Sequence, residues 1–210
     1  MDDLKRIADE VRACRLCPLG GMRKNAVPGE GPANAEVMLI GEGPGFHEDQ
    51  QGRPFVGPSG QFLNELLAMA GYQREEVFIT NVIKCRPPGN RDPLPEEIAA
   101  CAHHLDRQIA LINPKVIITL GRYSMAKFFP GAKISAIHGQ ARRVDGRTVV
   151  AMFHPAAALH QPALRAAIEE DFRRLRDIVR EAEQKAEQTE QPAKRTSGNS
   201  ASGGEQLSLF

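Results

Sequence analysis

The chain carries four cysteines, Cys14, Cys17, Cys85 and Cys101, in the order C-x2-C, a long gap, then C-x15-C, and no others. If all four bind one metal centre, three separated stretches of a 210-residue chain must meet at one point, which excludes most ways of folding it. A disulfide framework suits a small secreted domain. This sequence is long enough to bury an apolar core, and nothing resembling a secretory segment precedes Asp2 and Asp3, so a thiolate centre is the expectation. Zinc and a [4Fe-4S] cluster both accept four thiolates. Structural zinc usually takes two close pairs, and only Cys14 and Cys17 form one. The spacing therefore favours iron-sulfur over zinc and over unligated buried thiols, and leaves all three open.

Apolar runs recur between helical patterns. Leu4, Ile7, Ala8 and Val11 predict a helix over 3–13 that delivers the first cysteine pair. Residues 36–40, 77–83, 116–120 and 148–153 read as buried strands. Between them, Phe62, Leu63, Leu66, Leu67 and Ala70 mark a helix closed by Gly71, and a further helix over 95–112 carries Cys101. This alternation predicts an α/β fold of three layers, α/β/α, around a central, mostly parallel sheet. Ligands of such sheets bind beyond the carboxyl ends of the strands, where the loops starting at Gly41, Asn81, Gly121 and His154 should converge.

With 27 basic and 26 acidic residues, the chain has no global charge to draw it to nucleic acid, so such binding would need a local patch. No apolar run approaches a membrane span, and the expected location is cytoplasmic, where thiols stay reduced. Beyond about Glu181 the apolar stripe ends in favour of Glu, Gln, Lys, Ser and Gly. The expected organisation is a domain over 1–181, a flexible polar linker over 182–205, and a short apolar peptide over 206–210.

The loop from Gly41 to Gly57 is long and polar, and its glycines make neither a P-loop nor a dinucleotide fingerprint. Glu42, Glu48 and Asp49 read there either as a solvated acidic loop or as working carboxylates. Phe55, one of few aromatics, could stack on a planar ligand. Asn81 interrupts an apolar strand, so it holds a turn or reads a ligand edge. His154, at a strand end before Pro155, is structural or catalytic. Lys84, Arg86 and Arg91 form a solvated rim or contact phosphates, and the remaining histidines read as surface or helix residues.

Taken together, G-E-G-P-G-x-x-E-D-x-x-G-R-P-F-V-G, I-T-N-V-I-K-C-R-P-P-x-N-R and F-H-P-A-A, with the cysteines in this order, closely resemble the family 4 uracil-DNA glycosylases, iron-sulfur members of their superfamily, over about residues 4–179. The resemblance implies a monofunctional, monomeric enzyme that removes uracil from DNA and leaves an abasic site. It implies a [4Fe-4S] cluster on Cys14, Cys17, Cys85 and Cys101. Glu42 would activate water and stabilise the sugar, Gly43 would offer a backbone contact, and Glu48 would exclude a thymine methyl. Phe55 would stack on uracil, Asn81 would bond its edge, and His154 would donate to the departing base. Alanines follow His154-Pro155 where relatives often carry bulk, so Leu159 is the candidate to fill the gap left by the flipped base. The loop after Cys85 lacks the insertion of relatives that trap DNA covalently, so turnover is expected. The terminal Gln206-Leu-Ser-Leu-Phe210 resembles a peptide that docks on the replication sliding clamp. Competing classes are a metal-stabilised protein that binds damaged DNA without cutting, and a redox sensor.

Overall fold

The computed structural model describes residues 3–190, with side chains over 3–184. In chain order its elements are α1 (Leu4–Ala13), α2 (Leu19–Met22), β1 (Val37–Gly41), α3 (Phe46–Gln51), α4 (Pro58–Met69), β2 (Phe78–Asn81), α5 (Pro95–Ile112), β3 (Val116–Leu120), α6 (Arg122–Ala126), α7 (Ile134–Ile137), β4 (Gln140–Val144), β5 (Arg147–Met152), α8 (Ala156–His160), α9 (Arg165–Arg173) and α10 (Leu175–Glu190). Among the described residues, no helix is long and apolar enough to cross a membrane.

The strands form one five-stranded sheet in the order β2-β1-β3-β5-β4. The pairs β1 with β2, β1 with β3 and β3 with β5 are parallel, with Gly41 opposite Asn81 and Leu120 opposite Met152. Strands β1, β2 and β3 are buried along their whole length, as their continuous apolar runs require when helices cover both faces. Side chains alternate between faces. Leu39, Ile79, Ile118 and Val150 point to a core completed by Phe62, Leu63, Leu66 and Leu67 of α4 and by Ile168, Phe172 and Leu175. Met38, Ile40, Ile117 and Val149 point the other way, to Cys101, Leu105, Ile109 and Ile112 of α5 and to Phe129. The expected three layers are present. Each fully buried Leu or Phe on these helices contributes about 1.5–3 kcal/mol, so helix placement follows from where those residues fall.

Helix α1 starts at Asp3, whose carboxylate accepts the Arg6 backbone N–H at 2.7 Å. Ile7 and Val11 face inward, and a Glu10–Arg107 ion pair ties α1 to α5. That docking carries Cys14 and Cys17 toward the middle of the chain.

Three features depart from the sequence reading. The stretch from Gly41 to Gly57, expected as a long polar loop, contains α3. An antiparallel edge strand, β4, pairs with β5 through a two-residue turn at Asp145 and Gly146, both with positive φ. The helix α10 continues to Glu190, so the boundary expected at 181 falls inside it. The rest of the expected linker and the peptide 206–210 lie outside the described residues.

The first turn of α4 lies against the backbone of the preceding loop. A Cβ at Gly60 would overlap the carbonyl of Phe55. Gly60→Ala should therefore cost about 3 kcal/mol and lower Tm by roughly 6–12 °C. Gly21→Ala, where an added Cβ meets nothing within 4 Å, should leave Tm unchanged or slightly raised. Calorimetry on both variants checks the contrast; equal Tm for Gly60→Ala and the parent would contradict this packing.

Candidate active site and cysteine centre

The loops after β1, β2 and β5 enclose a cleft of about 610 Å³ lined by Glu42, Gly43, Glu48, Phe55, Asn81, His154 and Leu159 among others. All six residues expected to act on a base therefore share one cleft, with Leu159 47 % exposed beside them. Convergence at this edge follows from the parallel register, which ends β1 and β2 side by side at Gly41 and Asn81.

Asn81 is 1 % exposed, and its Oδ1 has no hydrogen-bond partner. A buried unsatisfied acceptor costs about 1–3 kcal/mol, which is unexpected unless a ligand supplies the donor. Room for that side chain depends on Gly41, where a Cβ would overlap Asn81 Oδ1 and lie 2.7 Å from Phe55 Cζ. The Phe55 and His154 rings are stacked, 5.5 Å between centroids and 25° between planes.

His154 Nδ1 accepts the Ala156 backbone N–H at 3.1 Å. The neutral ring then carries its proton on Nε2, the nitrogen left to donate. Burial pulls its pKa down to about 4, so it is neutral at pH 7. Burial pushes the Glu42 carboxyl above its usual range, opposed by the backbone N–H groups of Tyr123 and Arg122; Tyr123 N lies 3.5 Å from Oε1. An Asp92–Arg122 ion pair joins the loop after β2 to the start of α6 beside it. The cleft thus presents a proton acceptor, a neutral N–H donor, an aromatic face and an unpaired amide oxygen.

Phe55 has φ +51°, the left-handed region that costs a non-glycine residue about 1–3 kcal/mol. Two charged groups hold it there. Glu48 Oε1 accepts the N–H groups of Val56 and Gly57, both at 2.9 Å, while Arg74 donates to the carbonyls of Pro54 and Phe55 at 2.6 and 3.1 Å. Hydrogen bonds to charged groups contribute about 1.5–3 kcal/mol each, enough to outweigh the strain. Sequence reasoning missed Arg74; it sits in a short polar turn with no motif to mark it.

The four cysteines line one small cavity with Arg23, Lys84 and His104. Among the described residues, no group of three or more His, Cys, Asp or Glu is arranged to hold a metal ion. Arg23 Nη1 donates to Cys85 Sγ at 2.9 Å, and Lys84 gives Cys101 a backbone hydrogen bond. Burial pushes the Cys101 thiol up to about 11 and raises that of Cys85. One expectation is corrected here. Lys84 is no solvated rim residue: it is 1 % exposed, its pKa is lowered by burial to about 8, and Nζ donates to Thr80 Oγ1, Asn81 O and Gln108 Oε1 at 2.6, 2.9 and 2.7 Å. His104, expected as a surface or helix residue, lies on α5 with its ring turned inward. It is 3 % exposed, and neither ring nitrogen has a partner. Lys84, just after β2, is covered by α5, whose Gln108 accepts from it, and α5 turns His104 inward over the cysteine cavity.

The chain matches the family profile described as "Uracil DNA glycosylase superfamily" over residues 28–176. It is 49 % identical over 190 residues to a type-4 uracil-DNA glycosylase of Saccharolobus solfataricus, covering 85 % of this chain and 88 % of the relative. A type-4 uracil-DNA glycosylase of Sulfurisphaera tokodaii is 46 % identical over 191 residues, with 85 % and 86 % covered. One of Thermotoga maritima is 42 % identical over 179 residues, with 83 % and 93 % covered. The chain therefore belongs to the uracil DNA glycosylase superfamily and, within it, to the type-4 enzymes.

Proposed function

We propose that this protein hydrolyses the N-glycosidic bond of deoxyuridine in DNA, releasing uracil and leaving an abasic site. The observation that carries this is the buried, unpartnered Oδ1 of Asn81 facing the cleft beside Phe55 and a neutral His154. Uracil offers an N3–H donor and an O4 acceptor on one edge, which an amide matches with its own acceptor and donor. Extruding the base costs a few kcal/mol, and stacking on Phe55 returns about 1–3 kcal/mol.

As the bond from C1′ to N1 breaks, its electron pair leaves with the base and spreads to O2, while the sugar becomes electron-poor. The Nε2–H of His154 stabilises the oxygen that gains charge. Glu42 stabilises the sugar and accepts a proton from the attacking water, whose hydroxyl adds to C1′; the uracil anion takes a proton from solvent. Glu42→Gln and His154→Ala should each slow single-turnover excision by on the order of 100-fold or more with little loss of DNA binding. Because Glu42 must be ionised, kcat/KM should fall as pH drops through its raised pKa, above 4.5. His154 stays neutral until pH approaches about 4 and adds nothing to that limb. A pH profile flat down to 4, or near-parental rates in both variants, would remove these roles.

Glu48 supports discrimination in two ways. Its carboxylate braces the Phe55 turn through Val56 and Gly57, and its bulk would stand near uracil C5. A steric wall rejects an added methyl better than a roomy apolar pocket does. Thymine excision should become detectable in Glu48→Ala while uracil excision slows; a variant that keeps its uracil rate and still ignores thymine would refute both parts.

The cysteine cavity fits an iron-sulfur cluster. All four thiols line one cavity, and their spacing in the chain, one close pair and two separated thiols, favours a cluster over a structural zinc site. Thiolates on a cluster would form a net-anionic centre, compensating the partly buried Arg23 and the buried Lys84 and giving His104 an acceptor. Bound there, a [4Fe-4S] cluster would supply a structural tie among three segments. Anaerobically purified protein should hold about four irons per chain and absorb near about 400 nm, and Cys101→Ala should lose both signals and Tm. Stoichiometric zinc without iron would replace this assignment.

A further inference from the structure

Five phenylalanines are buried in the two cores or the base pocket, but Phe46 is 51 % exposed at the rim of the same cleft. It opens α3, directly after the G-E-G-P-G loop, where its ring is not free to swing. The His47 ring meets it edge-on at 5.6 Å and 83°, and the Arg86 guanidinium carbon lies over it, 5.2 Å from the centroid. Arg86 is itself fixed, because its Nε donates to Asn90 Oδ1 at 2.7 Å. Its Nη groups have no partner among the described residues.

A held aromatic face beside a guanidinium whose Nη groups remain free to donate is the pairing that recognises a nucleotide: the base stacks, and the phosphodiester takes the charge. An apolar peptide would use the ring and leave the cation unpaired. The rim lies in the same cleft as Asn81 and Phe55, so a strand whose uracil is extruded into that cleft must pass close to it.

We propose that Phe46 and Arg86 form a second nucleotide subsite, which holds the base and phosphate adjacent to the extruded deoxyuridine. This rests on the uracil-excision reading above. In a duplex the neighbouring base is already stacked and paired, so the subsite favours single-stranded DNA.

The test is a cycle on single-stranded oligonucleotides containing one uracil, with the neighbouring base intact or replaced by an abasic analogue, on each side in turn. Removing the neighbour on one side should lower kcat/KM of the parent about 5-fold or more. Phe46→Ala should lose that factor on intact DNA and nothing further on the analogue, and Phe46→Leu should behave like Phe46→Ala because it lacks the π face. Arg86→Gln should reduce the slope of log kcat/KM against log salt by about 0.7, one phosphate contact. Unchanged Tm in Phe46→Ala checks that folding is intact. Equal losses in parent and variant, or none on either side, would overturn the subsite while leaving uracil excision standing. A parent protein that excises no uracil would instead overturn the functional reading itself.

Discussion

Because β1 pairs in parallel with β2 on one side and β3 on the other, the chain leaves each strand at the same edge of the sheet, and every polar group of the cleft inherits its place from that register. A slip of one residue between β1 and β2 would turn Asn81 to the other face and send Leu39 and Ile79 out of their common core. The apolar burial that holds the sheet together therefore also sets the position of the Asn81 amide.

The register does not by itself position Phe55. That residue adopts a backbone conformation it would avoid in isolation, and it stays there because opposite charges grip the turn from two directions, Glu48 on its N–H groups and Arg74 on its carbonyls. Gly60 lets α4 begin close enough to close the third side. A platform stiffened in this way can meet a base without first being ordered, which spares the entropy a mobile loop would lose on binding. Glu48 consequently has a backbone role that any substitution at this position disturbs.

Lys84 links the two polar centres of the molecule. Its backbone bonds Cys101, its side chain bonds the carbonyl of Asn81, and Gln108 from α5 completes the group. A buried ammonium costs several kcal/mol unless compensated, which accounts for the three acceptors gathered around it. Through this side chain, anything that disturbs the cysteine cavity reaches the strand end that presents the amide.

Much of this was legible in the sequence. The helix over 95–112 and the strand over 116–120 appear with the boundaries their apolar periods predict, and the motif positions Glu42, Phe55, Asn81 and His154 do share a cleft. The Asp145-Gly146 turn was also there to be read as a hairpin signal, but Gln140 to Val144 is an exposed edge strand with no apolar alternation to support it. Local pattern determined which segments are strands and helices, because burial on one or two faces writes a period into the chain. Tertiary structure alone decided that Lys84 and His104 are buried, that Arg74 supports Phe55, and that Phe46 stands exposed beside Arg86. Those facts depend on which segments meet across distances of tens of residues, and no local period records such meetings.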